Sequence, residues 1–218
     1  TISWRPKTAR GAGDGTISVE STIGATIDDA GLTARHRFRY VVTQGSLSDV
    51  TFTLPAGVSL KRIAGADVSG WEQADEGGLR TLKVFLRRDV DDSTSLDIDL
   101  FQPVSLNETA TAVDVPTLAP VGVTREKGDV AVFAEPQLAV TTGTTSGLRQ
   151  VNVANSTMDA ALTQPGATAR FAYRCFAAWQ GKWPQVRHAR KSSGVAQQTL
   201  AAPDRAVQPV ACAVPDQP

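Results

Sequence analysis

Between Arg35 and Val42 the chain alternates without a break. His36, Phe38, Tyr40 and Val42 fall on one side, and Arg35, Arg37 and Arg39 on the other. Successive side chains of a strand point to opposite faces, whereas a helix would scatter these residues around its circumference. The stretch therefore specifies a half-buried strand with a basic outer face, and commits the chain to a sheet with one side covered. Upstream, Ile17, Val19, Ile23 and Ile27 keep one parity, interrupted only by Ser21 and Ala25, and Asp28-Asp29-Ala30-Gly31 turns the chain into the arginine strand. Downstream, after Gln44-Gly45-Ser46, Val50, Phe52 and Leu54 alternate with Thr51 and Thr53 as far as Pro55-Ala56-Gly57. There proline lacks the N–H that a ladder needs, and glycine takes positive φ at little cost. Residues 58–63 predict a further strand.

Leu82, Val84 and Leu86 alternate with Thr81, Lys83, Phe85 and Arg87; beyond the acidic run 89–93, Leu96, Ile98 and Leu100 alternate with Asp97, Asp99 and Phe101. Paired as an antiparallel hairpin with Arg88 opposite Thr94, the two segments would set Leu86 against Leu96, Val84 against Ile98 and Leu82 against Leu100. Lys83 would then meet Asp99 on the outer face. Such cross-strand pairs contribute roughly 0.2–1 kcal/mol each, and a one-residue slip would turn every leucine to water. This hairpin is the pairing the sequence predicts most directly.

No segment sustains a capped 3.6-residue apolar period, and the 18 glycines and 12 prolines are spaced as punctuation. The expected fold is all-β and antiparallel, with two sheets packed as a β-sandwich or a supersandwich. Residues 1–15 read as an extended lead-in, with Trp4 as an anchor. Residues 16–118 read as the sandwich core and 119–176 as a second set of strands in the same or a second subdomain. Within that second set, 129–134, 137–142, 148–153 and 168–176 are candidate strands, and Asn155-Ser156-Thr157 a candidate helix cap running to Leu162. Residues 177–218, with five prolines and a basic cluster at Arg187, His188, Arg190 and Lys191, read as an irregular or disordered tail. The inner face should hold Ile17, Val19, Ile23, Phe38, Tyr40, Phe52, Leu54, Leu82, Val84, Leu86, Leu96, Ile98 and Leu100.

Composition narrows the function. Hydrophobic residues at 41% and charged residues at 20% suit a folded domain. A formal net charge of zero argues against general nucleic-acid binding, which rests on a basic surface. No apolar run is long enough to span a bilayer as a helix. The chain starts at Thr1 in a polar stretch with no signal peptide, as expected of a piece of something longer. Cys175 and Cys212 lack metal-type spacing and leave a disulfide and two free thiols equally open.

Several constellations bear on chemistry. Asp89, Asp91 and Asp92 could offer oxygens to calcium, but a solvated turn flanked by Arg87 and Arg88 fits them better. Arg35, Arg37 and Arg39 could hold an acidic polysaccharide or a phosphate; pairing with Asp97 and Asp99 on a neighbouring strand fits better. Trp71, Trp179 and Trp183 fit core or rim packing first. Trp71, with Glu72, Gln73 and Asp75 beside it in a glycine-flanked loop or irregular strand, is the best carbohydrate-type ligand site. A histidine base is limited to His36, on the apolar face, and His188, in the tail. No nucleophile elbow, zinc-protease motif or phosphate loop is present, although a carboxylate-only glycosidase would leave no motif. Asn107-Glu108-Thr109 and Asn155-Ser156-Thr157 match the glycosylation triplet. The expectation is no catalytic residues, no metal and no cofactor.

The runs Leu54-Pro55-Ala56-Gly57-Val58 and Gly65-Ala66-Asp67-Val68-Ser69-Gly70-Trp71, with the strands that follow, resemble segments of large bacterial envelope proteins whose β-rich extracytoplasmic regions are tethered to membrane helices. Pro120-Val121-Gly122-Val123 and Gly128-Asp129-Val130-Ala131-Val132 are similar too, so that the resemblance covers about residues 35–153. It implies an extracytoplasmic β-module, periplasmic or at the cell surface, with a protein partner or its own parent chain as its contact, and no catalytic residues. The expected function is a non-enzymatic structural or interaction module of a larger protein. The alternative is a carbohydrate-binding or polysaccharide-processing accessory domain, by analogy with what β-sandwiches host.

Overall fold

The computed structural model describes residues 16–104, 111–142, 148–152, 162, 166–175 and 185–190. Fourteen strands run through them: β1 (Ile17–Asp28), β2 (Gly31–Val42), β3 (Leu47–Leu54), β4 (Ser59–Ala64), β5 (Val68–Glu76), β6 (Leu79–Val90), β7 (Ser93–Pro103), β8 (Thr111–Asp114), β9 (Ala119–Val121), β10 (Arg125–Ala134), β11 (Leu138–Thr142), β12 (Arg149–Val151), β13 (Thr168–Cys175) and β14 (Gln185–Arg190). A seven-stranded sheet has the order β12-β13-β10-β1-β2-β7-β4, a four-stranded sheet β5-β6-β3-β9, and a small third sheet β11-β14-β8. Apolar faces of all three meet in one cluster, so the fold is an all-β sandwich.

The alternating strands bury the faces their sequences specify. Val19, Ile23, Phe38, Tyr40, Phe52, Leu54, Leu82, Val84, Leu86, Leu96, Ile98 and Leu100 are all core residues, with Ile17 packed against them. At the centre, Phe38 of one sheet lies 4.7 Å from Phe52 of the other, ring centroid to centroid, and Tyr40 meets Phe52 edge-on at 6.3 Å. These tilted geometries suit the ring quadrupoles. Val113, Val115, Leu118, Val130, Val132 and Leu138 join the same cluster, so the strands after residue 110 complete the core begun by those before it.

The expected hairpin of residues 81–101 does not form. β6 pairs with β3 (Phe52 opposite Leu82, Val50 opposite Val84) and with β5. β7 pairs with β2 (Phe38 opposite Leu96, His36 opposite Ile98, Ala34 opposite Leu100) and with β4. The chain crosses from one sheet to the other at Asp91 and Asp92, and the two leucine faces enter the core from opposite sides. Alternation fixes which face of a strand is buried, not which strand lies beside it. Lys83 accordingly meets Asp49 at 3.5 Å, while Asp99 sits 4.0 Å from Arg62.

The real hairpins carry stronger turn chemistry. Between β1 and β2, Asp28 Oδ1 accepts hydrogen bonds from the N–H groups of Ala30 and Gly31, an aspartate-stabilised turn. Between β5 and β6, Gly77 and Gly78 both have positive φ, 60° and 85°, as a two-residue turn matched to strand twist requires.

Two further differences mark the second half. β10 runs parallel to β1, with Ile23 beside Val130 and Ala25 beside Val132, because the chain leaves β7, passes through β8 and β9 in the other sheets, and returns in the same direction. The basic stretch Gln185–Arg190, within the segment expected to be irregular, is strand β14, pairing with β11 and β8. On the outer face of the seven-stranded sheet, Ala131, Phe133 and Ala172 form a second small cluster. Nearby, a Cβ at Gly24 would overlap the Leu162 carbonyl oxygen, so only glycine lets Leu162 lie this close to the sheet.

Candidate functional site

β5 carries the four residues singled out for ligand contact, and it is a strand rather than a loop. Trp71 lies opposite Val84, Gln73 opposite Leu82, Asp75 opposite Arg80 and Glu72 opposite Lys83. Residues directly opposite in an antiparallel pair share a face. Trp71, Gln73 and Asp75 therefore share one side, the side of Val84 and Leu82, and Glu72 projects from the other. Because β5 is the outermost strand of its sheet, all four are exposed despite that parity, and Trp71 retains 51% of its surface. The sequence left a loop and an irregular strand both open, because glycines at 65, 70, 77 and 78 punctuate the segment. Gly70 in fact follows a register shift between Val68 and Gly70, and Ser69 Oγ there donates to the Phe85 carbonyl at 3.0 Å.

The arginine face of β2 is occupied by acids. Arg37 grips Asp97 through Nε at 2.8 Å and Nη2 at 3.2 Å, and Arg39 lies 3.8 Å from Glu20, which Lys127 also reaches. In register Arg35 stands opposite Asp99 and Arg37 opposite Asp97. A shallow cleft of about 280 Å³ lies here, lined by Arg35, Arg37, Arg62, Asp97, Asp99 and Leu162. Its three cations and two anions sit at ion-pairing positions, an arrangement that ties β2, β7 and β4 together. Asp89, Asp91 and Asp92 are exposed where the chain changes sheets, and among the described residues no three His, Cys, Asp or Glu side chains are grouped to hold a metal.

Inside the sandwich, His36 is wholly buried and stacks on Phe38 at 5.8 Å. Desolvation lowers its pKa to about 4. Backbone groups of Ile98, Ala34 and Pro116 pull weakly the other way, but none makes a well-formed hydrogen bond to either ring nitrogen. A neutral, sealed imidazole has no path to a substrate proton, and His36 is the packed core residue its parity implied. Tyr40 Oη is also buried without a partner among the described residues, and burial, with the Glu126 charge adding, holds the phenol protonated.

Glu126 was missed by the sequence reading. It lies beside Val19 on β10, where burial raises its pKa to about 6, and the Ser21 hydroxyl, donating at 3.3 Å, pulls it partly back. In Arg125-Glu126-Lys127-Gly128 it reads as solvated, and only the parallel pairing with β1 turns it inward. The second omission is Asp129, 4% exposed, which accepts from Arg174 Nε at 2.7 Å and Nη2 at 2.8 Å. The Asp129–Arg174 register pair spans β10 and β13, 45 residues apart, a separation that leaves no local signal.

Trp4, Trp179, Trp183, Cys212 and both glycosylation triplets lie outside the described residues, as does the proposed helix cap. His188 is on β14, opposite Val140 and Thr111. No helix among the described residues is long and apolar enough to cross a membrane. Comparison with known protein families and with curated proteins found no match.

Proposed function

We propose that the chain is a non-enzymatic structural or interaction β-module of a larger extracytoplasmic protein. One observation carries the reading: charged side chains on the strand faces are used to hold strands to one another. Arg37 with Asp97, Arg174 with Asp129 and Lys83 with Asp49 each bridge neighbouring strands. A scaffold uses charge this way, whereas a catalytic site sets acids and bases against a cavity with shifted pKa values. The extracytoplasmic assignment rests on the likeness of the turn-and-strand segments to envelope-protein regions.

The exposure of Trp71 favours a second reading, a carbohydrate-binding accessory domain, since an exposed indole offers a stacking surface. Against it, Glu72 projects away from Trp71, Gln73 and Asp75. A panel of neutral and acidic saccharides, followed by tryptophan fluorescence, separates the two. The module reading expects no saturable response. A saturable response abolished by Trp71→Ala, with the circular dichroism spectrum unchanged, overturns it in favour of carbohydrate recognition.

A further inference from the structure

We infer that β5 is a docking edge for an extended basic peptide segment, which adds as a fifth strand to the four-stranded sheet alongside Trp71. This deepens the interaction-module reading and rests on it.

The sheet edges differ in how open they are. β9 and β12 are three residues long and β9 contains Pro120. β4 carries Lys61 and Arg62 and breaks register with its neighbour between Leu60 and Arg62. Short length, proline, lysine and bulges are the usual protections of an edge. β5 has one bulge at its start; after it, residues 70–76 pair regularly with β6, a run of about 23 Å at strand rise. That run contains neither proline nor lysine, and β6 is the only described strand paired with β5. Its far side therefore presents a ladder available to another chain, the arrangement that strand-addition modules use.

Charge selects the occupant. Glu72, Asp75 and Glu76 are exposed and make no ion pair among the described residues. The cations opposite them are engaged elsewhere: Lys83 with Asp49, and Arg80 donating to the carbonyls of Pro55 at 3.1 Å and Val58 at 3.2 Å. A second copy of β5 would crowd its own three acids along the seam against these three, with no cation in residues 70–76 to offset them, so charge favours a basic incoming strand. Opposed residues share a face, so it places basic residues four apart against Glu72 and Glu76, a third against Asp75, and an aliphatic one beside Trp71.

For an antiparallel arrangement this pattern is Lys-Arg-Thr-Val-Lys-Val-Thr. Fluorescein-labelled peptide of that sequence is titrated with the chain at physiological salt and followed by anisotropy. Two further peptides are N-methylated at odd or at even positions, each blocking one edge of the peptide while keeping its charge. Saturable binding is expected, lost for one methylated peptide and kept for the other, and weakened about tenfold by combined Glu72→Lys and Glu76→Lys, two exposed pairs being reversed. No saturable binding, or equal binding of both methylated peptides, overturns the docking edge. Neither result touches the module reading, which stands or falls on the saccharide panel.

Discussion

Acid should weaken this fold through a single buried side chain. His36 has an ordinary pKa of 6.5 when the chain is unfolded and about 4 when it is sealed behind Phe38. Below pH 6.5 the unfolded chain takes up a proton that the folded chain refuses until about pH 4, so stability rises with pH across that window and is fully present above it. With those two values, linkage gives a loss of about 2 kcal/mol between pH 8 and pH 5, and about 3 kcal/mol by pH 4. Native domains have only about 5–15 kcal/mol in hand, so the loss is large enough to move a denaturation midpoint visibly. The perturbation is His36→Leu, which keeps an apolar side chain of similar bulk in the core and removes the titration. Urea denaturation of both proteins at pH 8 and pH 5 measures the difference directly. His36→Leu should hold its stability relative to the wild type at pH 8, since it also removes two unpaired ring nitrogens. At pH 5 it should exceed the wild type by about 2 kcal/mol. Parallel loss of stability in both proteins would refute the reasoning and show that the imidazole titrates near its ordinary value.

Glu126 should act in the opposite sense: its pKa is raised to about 6 by burial, so folding is disfavoured above pH 6 and the penalty disappears below about pH 4.5. Glu126→Gln, which can still accept from Ser21, should stabilise the fold by about 1 kcal/mol at pH 8 after allowance for partial solvent screening, and not at all at pH 4; equal effects at both would rule the charge out as the cause. The two outer-face ion pairs should separate by burial. Arg174→Met strands Asp129, 4% exposed, without its arginine and should cost about 3 kcal/mol, whereas Arg37→Met relieves a pair with both side chains one-third exposed and should cost about 1 kcal/mol or less. Chemical denaturation of the two variants side by side checks the order, and a larger loss for Arg37→Met would reverse it.

Parity is what the sequence alone determined. The alternation of residues 17–27, 35–42, 50–54, 81–87 and 96–101 named the buried face of each strand, and Phe38, Phe52, Leu82 and Ile98 are all in the core it implied. The same parity put His36 inside and Arg37 outside within reach of Asp97. Adjacency was decided by tertiary structure. Any strand of suitable length and parity can lie beside any other, so β6 and β7, joined by two residues, went to different sheets, while β1 and β10, nearly a hundred residues apart, lie side by side and parallel. Whatever depends on adjacency was therefore hidden: the inward turn of Glu126, the Asp129–Arg174 pair, and the placement of β5 at an open edge. A strand's faces follow from local geometry with a period of two residues; its neighbours follow from how three sheets close around one core.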